Sequence, residues 1–385
     1  MAREQKATNP FRFGDLALDE TFTDRAGELA ELTADMRNGQ NVVLFAPRRF
    51  GKSSLLWRAA QELVGSGEVL VAQLDLMRAP TRERFAEKLA TTIYEDIASP
   101  LERIRDRALA VFRSLRIAPT VTVSPDGTLG FSFSGGFSPA DVNATIEHLL
   151  SLPAQLSAER GRRVALVFDE FQEIVKIDPH LISLMRSVFQ EQTEVSHVYA
   201  GSRRHMMEQI FSDENEPFWR SAKQLELGVI APEVFGLFIT ERFQTTGRRI
   251  DPDTMAALLE ITRSHPYGTQ ELAYSLWELT PPGETAGTDD LTGALARVLA
   301  SENAHFARIW EEAPRGQRTV LEALARDPGR PPLSAEYRRA HNLSAPSSVQ
   351  TALRSLADDE LVVGFERGYR IAEPFLREWI VTRGL

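Results

Sequence analysis

Short apolar runs alternate with helix-like segments along the first 230 residues of the chain. Five of these runs are apolar at nearly every position, which is typical of strands buried on both faces of a parallel sheet. They are residues 41–46, 69–76, 164–168, 197–201 and 225–230. The segments between them, such as 53–63 and 181–189, have apolar residues at helical spacing. Strands alternating with helices predict βαβ units, and therefore a three-layer α/β domain with a parallel sheet over residues 1–230.

One stretch of this domain has a different pattern. Residues 120–124 and 129–133 alternate apolar and polar positions on either side of Pro125-Asp-Gly-Thr128, which predicts a β-hairpin. Because the hairpin adds length without adding another buried run, we interpret residues 101–150 as an insertion in the α/β domain.

The pattern changes after Ala231-Pro232. Residues 231–313 have only helical periodicity and predict a helical lid domain, with helices at 255–262 and 269–279 among them. After the breaker cluster Ala313-Pro-Arg-Gly316, three helical segments precede two short strands around Glu366-Arg-Gly368. These elements are 317–325, 334–341, 347–358, 361–365 and 369–371. Three helices and a hairpin predict a winged helix over residues 314–385.

Composition narrows the class of protein. A chain of 385 residues with 43% hydrophobic and 25% charged residues is typical of a soluble protein with two or three domains. Its apolar runs are too short to cross a bilayer, and its N-terminus has no apolar signal region, so we expect no membrane association and a cytoplasmic location. The absence of cysteine excludes disulfides and thiolate metal sites, and the seven histidines lack the spacing of a zinc site.

Charge is distributed unevenly along the chain. The total of −10 disfavours a protein that coats nucleic acid non-specifically. Residues 315–385 carry 11 Arg against 9 acidic residues, a net charge of +2. Any binding of DNA is therefore expected to involve the predicted winged helix, whose basic excess is small.

The strongest chemical motif is Leu44-Phe-Ala-Pro-Arg-Arg-Phe-Gly-Lys-Ser-Ser-Leu55. It matches the phosphate-loop pattern G-x-x-x-x-G-K-[ST], with Ala46 in place of the first Gly, and it lies between a predicted strand and a predicted helix. Such a loop cradles phosphates with backbone N–H groups and a helix N-terminus. Ala46 suits this loop where its φ is negative, and is strained where the backbone is left-handed.

The expected nucleotide-binding residues are those of the loop. We expect Lys52 to reach the β- and γ-phosphates of ATP and the Ser53 hydroxyl to ligate Mg²⁺. The whole predicted loop is Ala46, Pro47, Arg48, Arg49, Phe50, Gly51, Lys52, Ser53 and Ser54.

Two acids follow the apolar run at 164–168. Asp169 at the strand end is expected to hold the Mg²⁺ shell, and Glu170 to orient or deprotonate an attacking water. Adjacent acids after a strand can also be the solvated start of a loop. Because a phosphate loop lies upstream, the catalytic interpretation is favoured, and the pair indicates ATP hydrolysis.

Together these motifs resemble the archaeal-type ATPase clade of the signal-transduction ATPases with numerous domains (STAND), which are AAA+-related P-loop NTPases. The resemblance extends over nearly the whole chain and implies a P-loop ATPase core, a helical lid and a winged helix. It rests on Phe11-Arg-Phe-Gly14, Phe22-Thr-Asp-Arg-Ala-Gly-Glu-Leu29, Pro47-Arg-Arg-Phe-Gly-Lys-Ser-Ser-Leu55, Asp169-Glu-Phe-Gln-Glu-Ile174, Gly201-Ser-Arg203, His265-Pro-Tyr-Gly-Thr-Gln270 and Tyr369-Arg-Ile-Ala-Glu-Pro-Phe375 with Trp379.

The resemblance also implies roles for residues outside the loop. Ser202 and Arg203 occupy a sensor position at the γ-phosphate, where Arg203 has a catalytic role and Arg204 is its neighbour. An arginine at the carboxyl end of a parallel strand also faces the ligand crevice on general grounds. The alternative is that Arg203 or Arg204 is a solvated residue at the start of a helix.

Three further assignments from the resemblance have structural alternatives. Pro266 is implied to lie near adenine, or else simply starts a helix. Arg25, with Phe22 and Asp24, contacts the base or staples the N-terminal segment to the sheet. Arg48 and Arg49 add positive charge beside the phosphates or face a neighbouring subunit.

Three hypotheses for function follow. The leading one is a Mg²⁺-dependent ATPase that acts as a nucleotide-controlled switch and has a protein partner or self-associates. The second is a DNA-acting AAA+ ATPase whose winged helix binds duplex. The third is a nucleotide-binding scaffold with negligible turnover.

Overall fold

The computed structural model describes residues 8–14, 25–97, 120–123, 129–132 and 138–383. These residues form two compact units. One comprises residues 25–228, and the other joins residues 8–14 to residues 229–383.

The first unit is built on a five-stranded sheet. All pairings in this sheet are parallel, and the strand order is β2-β5-β6-β1-β7. Short 3₁₀ turns follow β2 and β5, at Leu76–Arg78 and Phe171–Glu173, and a π-helical turn at Ile93–Ile97 follows α3. In chain order the helices and strands are α1 (Ala26–Asn38), β1 (Val42–Phe45), α2 (Lys52–Ser66), β2 (Val69–Asp75), α3 (Arg82–Thr92), β3 (Thr120–Val123), β4 (Leu129–Ser132), α4 (Pro139–Arg160), β5 (Arg163–Asp169), α5 (Ile174–Ile177), α6 (His180–Phe189), β6 (Val195–Gly201), α7 (Arg204–Ser212) and β7 (Lys223–Glu226).

All five apolar runs predicted as strands contribute to this sheet. Every residue of β6 and nearly every residue of β5 is buried, as the continuous apolar pattern predicts. The prediction for 225–230 is wrong in position and burial, because β7 spans Lys223–Glu226 and buries only Leu225. The reason is its place at the sheet edge, where it pairs with β1 alone.

The predicted hairpin forms its own two-stranded antiparallel sheet, in which Val123 pairs with Leu129. Its turn, residues 125–128, lies outside the described residues. The predicted insertion limit at 150 falls inside α4, whose Ile146 and Leu149 are fully buried in the core of the unit. The first turns of α4 are therefore part of the α/β core.

The second unit is mainly helical and ends in a winged helix. It includes one deviation from the all-helical prediction for 231–313, because the two-residue strands β8 and β9 pair in parallel. Its elements are α8 (Pro232–Thr245), β8 (Arg249–Ile250), α9 (Pro252–Thr262), α10 (Pro266–Leu279), β9 (Thr285–Ala286), α11 (Thr288–Glu312), α12 (Arg315–Arg326), α13 (Ala335–Ala340), α14 (Pro346–Asp358), β10 (Val362–Phe365), β11 (Gly368–Ile371) and α15 (Pro374–Arg383).

The lid helices and the winged helix share one hydrophobic core. Phe306 of α11 lies against Trp379 of α15, with ring centroids 6.1 Å apart. The Trp379 indole N–H also donates to Asn303 Oδ1 at 2.9 Å. The two parts are therefore packed as one body, and the boundary at 313/314 remains a prediction.

Among the described residues, no helix is both long enough and apolar enough to span a membrane.

Candidate nucleotide site

The sheet topology brings the predicted phosphate loop and the acid pair to one edge of the sheet. The loop follows β1, the acids end β5, and β6 lies between these two strands. Since the strands are parallel, their carboxyl ends face the same crevice, where ligands of open α/β sheets bind. Ser202, directly after β6, lies between the loop and the acids.

The loop has the backbone that its sequence requires. Gly51, with φ of +85°, is left-handed and caps α2, which begins at Lys52. Ala46 does not have a positive φ, so the methyl group in place of the first Gly is unstrained. Its N–H donates to the carbonyl oxygen of Gly201 at 3.1 Å, which ties the loop to the end of β6.

Lys52 lies at the centre of a charged cluster. Its ammonium bonds Asp169 Oδ1 and lies 2.7 Å from Glu170 Oε1, and the residue is only 6% exposed. The Ser53 hydroxyl donates to Asp169 Oδ2 at 3.2 Å. Four of the predicted site residues are therefore joined by direct contacts.

Glu170 has a left-handed backbone, with φ of +53°. Its second carboxylate oxygen, Oε2, accepts from Gln172 Nε2 at 2.6 Å and from the Ser202 hydroxyl at 2.8 Å. Burial raises the pKa of Glu170, but the Lys52 charge and the three hydrogen bonds outweigh it, so this pKa lies below its ordinary value. The carboxylate is therefore ionised at neutral pH.

The chemistry of the donors fits Mg²⁺. The Asp169 carboxylate and the Ser53 hydroxyl are adjacent oxygen ligands, and Mg²⁺ usually binds one or two carboxylates together with substrate phosphates. In the described part of the chain, no group of three His, Asp or Glu side chains could hold a metal by itself. The fit is therefore to a metal that is bound together with a phosphate.

Arg203 and Arg204 have different environments although they are neighbours. Arg203 precedes α7 and is partly buried, and its guanidinium has no hydrogen-bond or ion-pair partner within the described residues. Arg204 pairs with Glu208 and Glu226 and lies 4.3 Å above the Phe45 ring. Arg204 is thus engaged in surface contacts, and Arg203 is available for a ligand.

Arg25 lies against the loop but is occupied by structural contacts. Its guanidinium donates to the carbonyl oxygens of Gly228 at 2.6 Å and Phe50 at 3.4 Å, and to Glu28 at 2.7 Å. These bonds fit the alternative in which Arg25 staples the chain, and its contact with a base remains a prediction. Phe22 and Asp24 lie outside the described residues.

The remaining predicted residues are located as follows. Arg48 and Arg49 are exposed on the loop, and Arg49 has φ of +66°. Pro266 belongs to the second unit and is the first residue of α10, which His265 caps by accepting from the Gly268 N–H at 3.2 Å. Pro266 thus starts a helix, and its place near adenine remains a prediction.

Sequence reasoning gave Gln172 no role. The motif Asp169-Glu-Phe-Gln172 predicts a role only for its two acids. The feature that could have identified Gln172 is a polar residue following buried Phe171, two positions after the predicted base.

The family model described as "ATPase domain predominantly from Archaea" matches residues 22–222, which contain the loop, the acid pair and Ser202. The chain belongs to this ATPase family. A model described as "Probable winged helix domain" matches residues 304–382 of this family member. No curated protein has a significantly matching sequence.

Solved structures agree on the fold of this archaeal-type ATPase. The Walker-type ATPase of Pyrococcus abyssi is similar with a TM-score of 0.66 and 17% identity, over 95% of this chain and 97% of that one. The ORC2 protein of Aeropyrum pernix, in its ADPNP–ADP complexes, is similar with a TM-score of 0.54 and 13% identity, over 96% and 98%. The predicted fold is confirmed as a P-loop ATPase fold with a parallel five-stranded sheet and a C-terminal winged helix.

Proposed function

We propose that this chain is a Mg²⁺-dependent ATPase that acts as a nucleotide-controlled switch of the STAND type. The proposal rests on the contacts that join Lys52, Asp169, Glu170 and Ser202 at one sheet edge. A lysine that can bind phosphate, a carboxylate that can ligate the metal and an acid that can act on water are in direct contact there, as hydrolysis of ATP requires.

Each side chain has a separate task in the proposed reaction. Lys52 neutralises the β- and γ-phosphates, while Ser53 and Asp169 hold Mg²⁺, which reduces the charge of the phosphates when bound. Glu170 orients the attacking water and accepts its proton. Ser202 and Arg203 contact the γ-phosphate and make the site sensitive to its loss.

The switch is supported by the shared use of Lys52. Its ammonium bonds both acids, and it is also the proposed partner of the phosphates. Phosphates compete for this ammonium, so occupancy of the site alters the contacts of Glu170 Oε1. A change of contact at this partly buried acid is a local event that a conformational switch can use.

Two substitutions test the ATPase directly. Glu170→Gln is expected to keep ATP binding while abolishing phosphate release, because the amide cannot accept the proton. Lys52→Ala is expected to lose both, because the buried cation is removed. Lys176→Ala is the matched control, since this exposed lysine pairs with Glu173 alone among the residues that the structure describes. Binding of a fluorescent ATP analogue and release of phosphate are measured.

Normal turnover by Glu170→Gln would refute the catalytic role of Glu170. If the wild-type protein binds ATP but releases phosphate no faster than Lys52→Ala, the scaffold hypothesis replaces the ATPase.

A DNA-acting ATPase is the second candidate, favoured by the winged-helix match. The exposed Arg354 on α14 is available to contact DNA. Several other arginines of this domain bond within it: Arg330 pairs with Asp327 and Glu336, and Arg338 donates to the carbonyl oxygen of Leu333. We therefore rank docking of a protein partner, or of a second copy of the chain, above DNA.

A further inference from the structure

Gln172 is a buried amide beside the proposed base. It lies in the 3₁₀ turn Phe171–Glu173 and is 1% exposed. Its Nε2 donates to Glu170 Oε2 at 2.6 Å and lies 3.5 Å from the Ser202 hydroxyl oxygen. No step of the proposed reaction has used this residue.

Packing fixes the position of Gln172. The preceding residue, Phe171, is fully buried, with its ring centroid 4.7 Å from that of Tyr199 and 5.6 Å from that of Phe211. Gly201 closes the other side, since a Cβ there would lie 2.8 Å from Gln172 Oε1. The turn and the strand end therefore leave the amide little freedom.

The carboxylate determines which way this amide faces. With the NH₂ group toward Glu170, one strong charge-assisted bond forms, whereas the reverse orientation would bring two acceptor oxygens together. The cost is that Gln172 Oε1 is buried with no hydrogen-bond partner within the described residues. An unsatisfied buried acceptor destabilises the fold, so the bond to Glu170 is kept against a local penalty.

The side chains that donate hydrogen bonds to Glu170 differ in their other partners. Lys52 is shared with Asp169 and, in the proposed reaction, with the phosphates. Gln172 has Glu170 as its only close hydrogen-bond partner in the described part of the chain. When Lys52 turns to the phosphates, Gln172 still holds Oε2, and so keeps Oε1 directed toward the loop.

We propose that Gln172 is the positioning residue for Glu170: its buried amide holds Oε2 and leaves Oε1 free to act on water. This inference rests on the proposed ATPase function. A base displaced by about 1 Å costs up to about a hundredfold in rate, so loss of the amide lowers kcat by between tenfold and a hundredfold. KM for ATP stays the same, because within the described residues Gln172 forms no hydrogen bond with Lys52 or the rest of the loop.

The test compares two buried glutamines of the same unit. Gln172→Met keeps the side-chain volume and removes the bond to Glu170. Gln192→Met is the control, because Gln192 is also buried but bonds the Leu150 carbonyl oxygen and His197 instead. We measure kcat, KM, affinity for ATP and Tm for both variants, the wild type and Lys52→Ala.

The expected result is a fall in kcat for Gln172→Met alone, with KM and ATP affinity unchanged, whereas Gln192→Met changes only Tm. Unchanged kcat in Gln172→Met, with wild-type turnover above that of Lys52→Ala, overturns the role of Gln172 and leaves the ATPase standing. Wild-type turnover no greater than that of Lys52→Ala overturns both.

A second variant covers the case in which Gln172→Met does not fold. Gln172→Asn keeps the amide but shortens the side chain by one methylene group, so the bond at 2.6 Å is lost while polarity is retained. Its kcat is expected to fall in the same range. A wild-type kcat in Gln172→Asn overturns the proposal.

Discussion

Arg203 and Arg204 are adjacent and identical in type, yet only one of them is available for a ligand. Arg204 lies over the Phe45 ring and pairs with two glutamates, whereas Arg203 has no partner in the part of the chain that the structure describes. An uncompensated, partly buried cation is costly unless something binds it. We take this cost as support for Arg203 as the γ-phosphate contact.

This difference makes a prediction at the residue scale. Arg203→Ala is expected to lower kcat about tenfold or more without lowering Tm, because a charge that acts on the reacting phosphate is lost, whereas no hydrogen bond or ion pair within the described residues is. Arg204→Ala is the matched control: exposed ion pairs contribute little to stability, so kcat and Tm stay near wild type. Steady-state turnover and thermal melting measure both. If Arg204→Ala loses more turnover than Arg203→Ala, the assignment is reversed.

At the scale of elements, the loop between β1 and α2 requires different backbone conformations at its two small residues, Gly51 and Ala46. Gly51 is left-handed, with φ of +85°, and nothing lies near the position of its missing Cβ. Ala46 has no such requirement, because its φ is not positive. The same change in side-chain size therefore has different consequences at the two positions.

The matched variants Gly51→Ala and Ala46→Gly test this. Gly51→Ala is expected to lower the free energy of unfolding by about 1 kcal/mol and to weaken ATP binding, because the left-handed backbone is strained by a Cβ. Ala46→Gly is expected to keep ATP binding, with at most about 1 kcal/mol lost to the greater entropy of the unfolded chain. Urea unfolding and ATP titration are the measurements. Equal loss of ATP affinity in the two variants would contradict this explanation of the loop.

At the same scale, apolar patterns predict the buried central strands well and the edge strand poorly. The central strands β5 and β6 are close to their predicted limits, because strands buried on both faces have continuous apolar sequences. The predicted position of the edge strand β7 is wrong, because this strand pairs on one side only and its sequence Lys223-Gln-Leu-Glu226 is mostly polar. The number of neighbouring strands determines how much of a strand is buried, and burial in turn determines its pattern of apolar and polar residues.

For the whole molecule, net charge and the winged helix bear on binding to DNA in opposite directions. The chain carries −10, and Arg330 of the winged helix is already paired with acids. We expect duplex DNA to bind weakly at low salt and to be released by physiological salt, with or without ATP, because residues 315–385 carry a net charge of only +2. Fluorescence anisotropy of a labelled duplex against salt concentration measures this.

Arg354→Ala, on the exposed face of α14, is the matched variant for that measurement, with the paired Arg330→Ala as its control. Tight binding at physiological salt that Arg354→Ala abolishes and Arg330→Ala retains would contradict our ranking and favour the DNA-acting ATPase.

The sequence by itself determined the order of elements, the phosphate loop, the acid pair and the winged-helix outline. These are local properties. Gly51 allows one left-handed backbone conformation, Lys52 and Ser53 begin one helix, and each strand is predicted by one apolar run. Each of these requirements involves only a few consecutive residues, so it can be predicted from the sequence.

Only the tertiary structure decided the arrangement that gives these residues their partners. The insertion of β6 between β1 and β5 brings Ser202 to Glu170, and the turn after β5 buries Gln172 against it. The same holds for Arg25, whose guanidinium reaches the distant Gly228 carbonyl oxygen. Strand order and buried hydrogen bonds join segments far apart in sequence, and no local periodicity records which segments will meet.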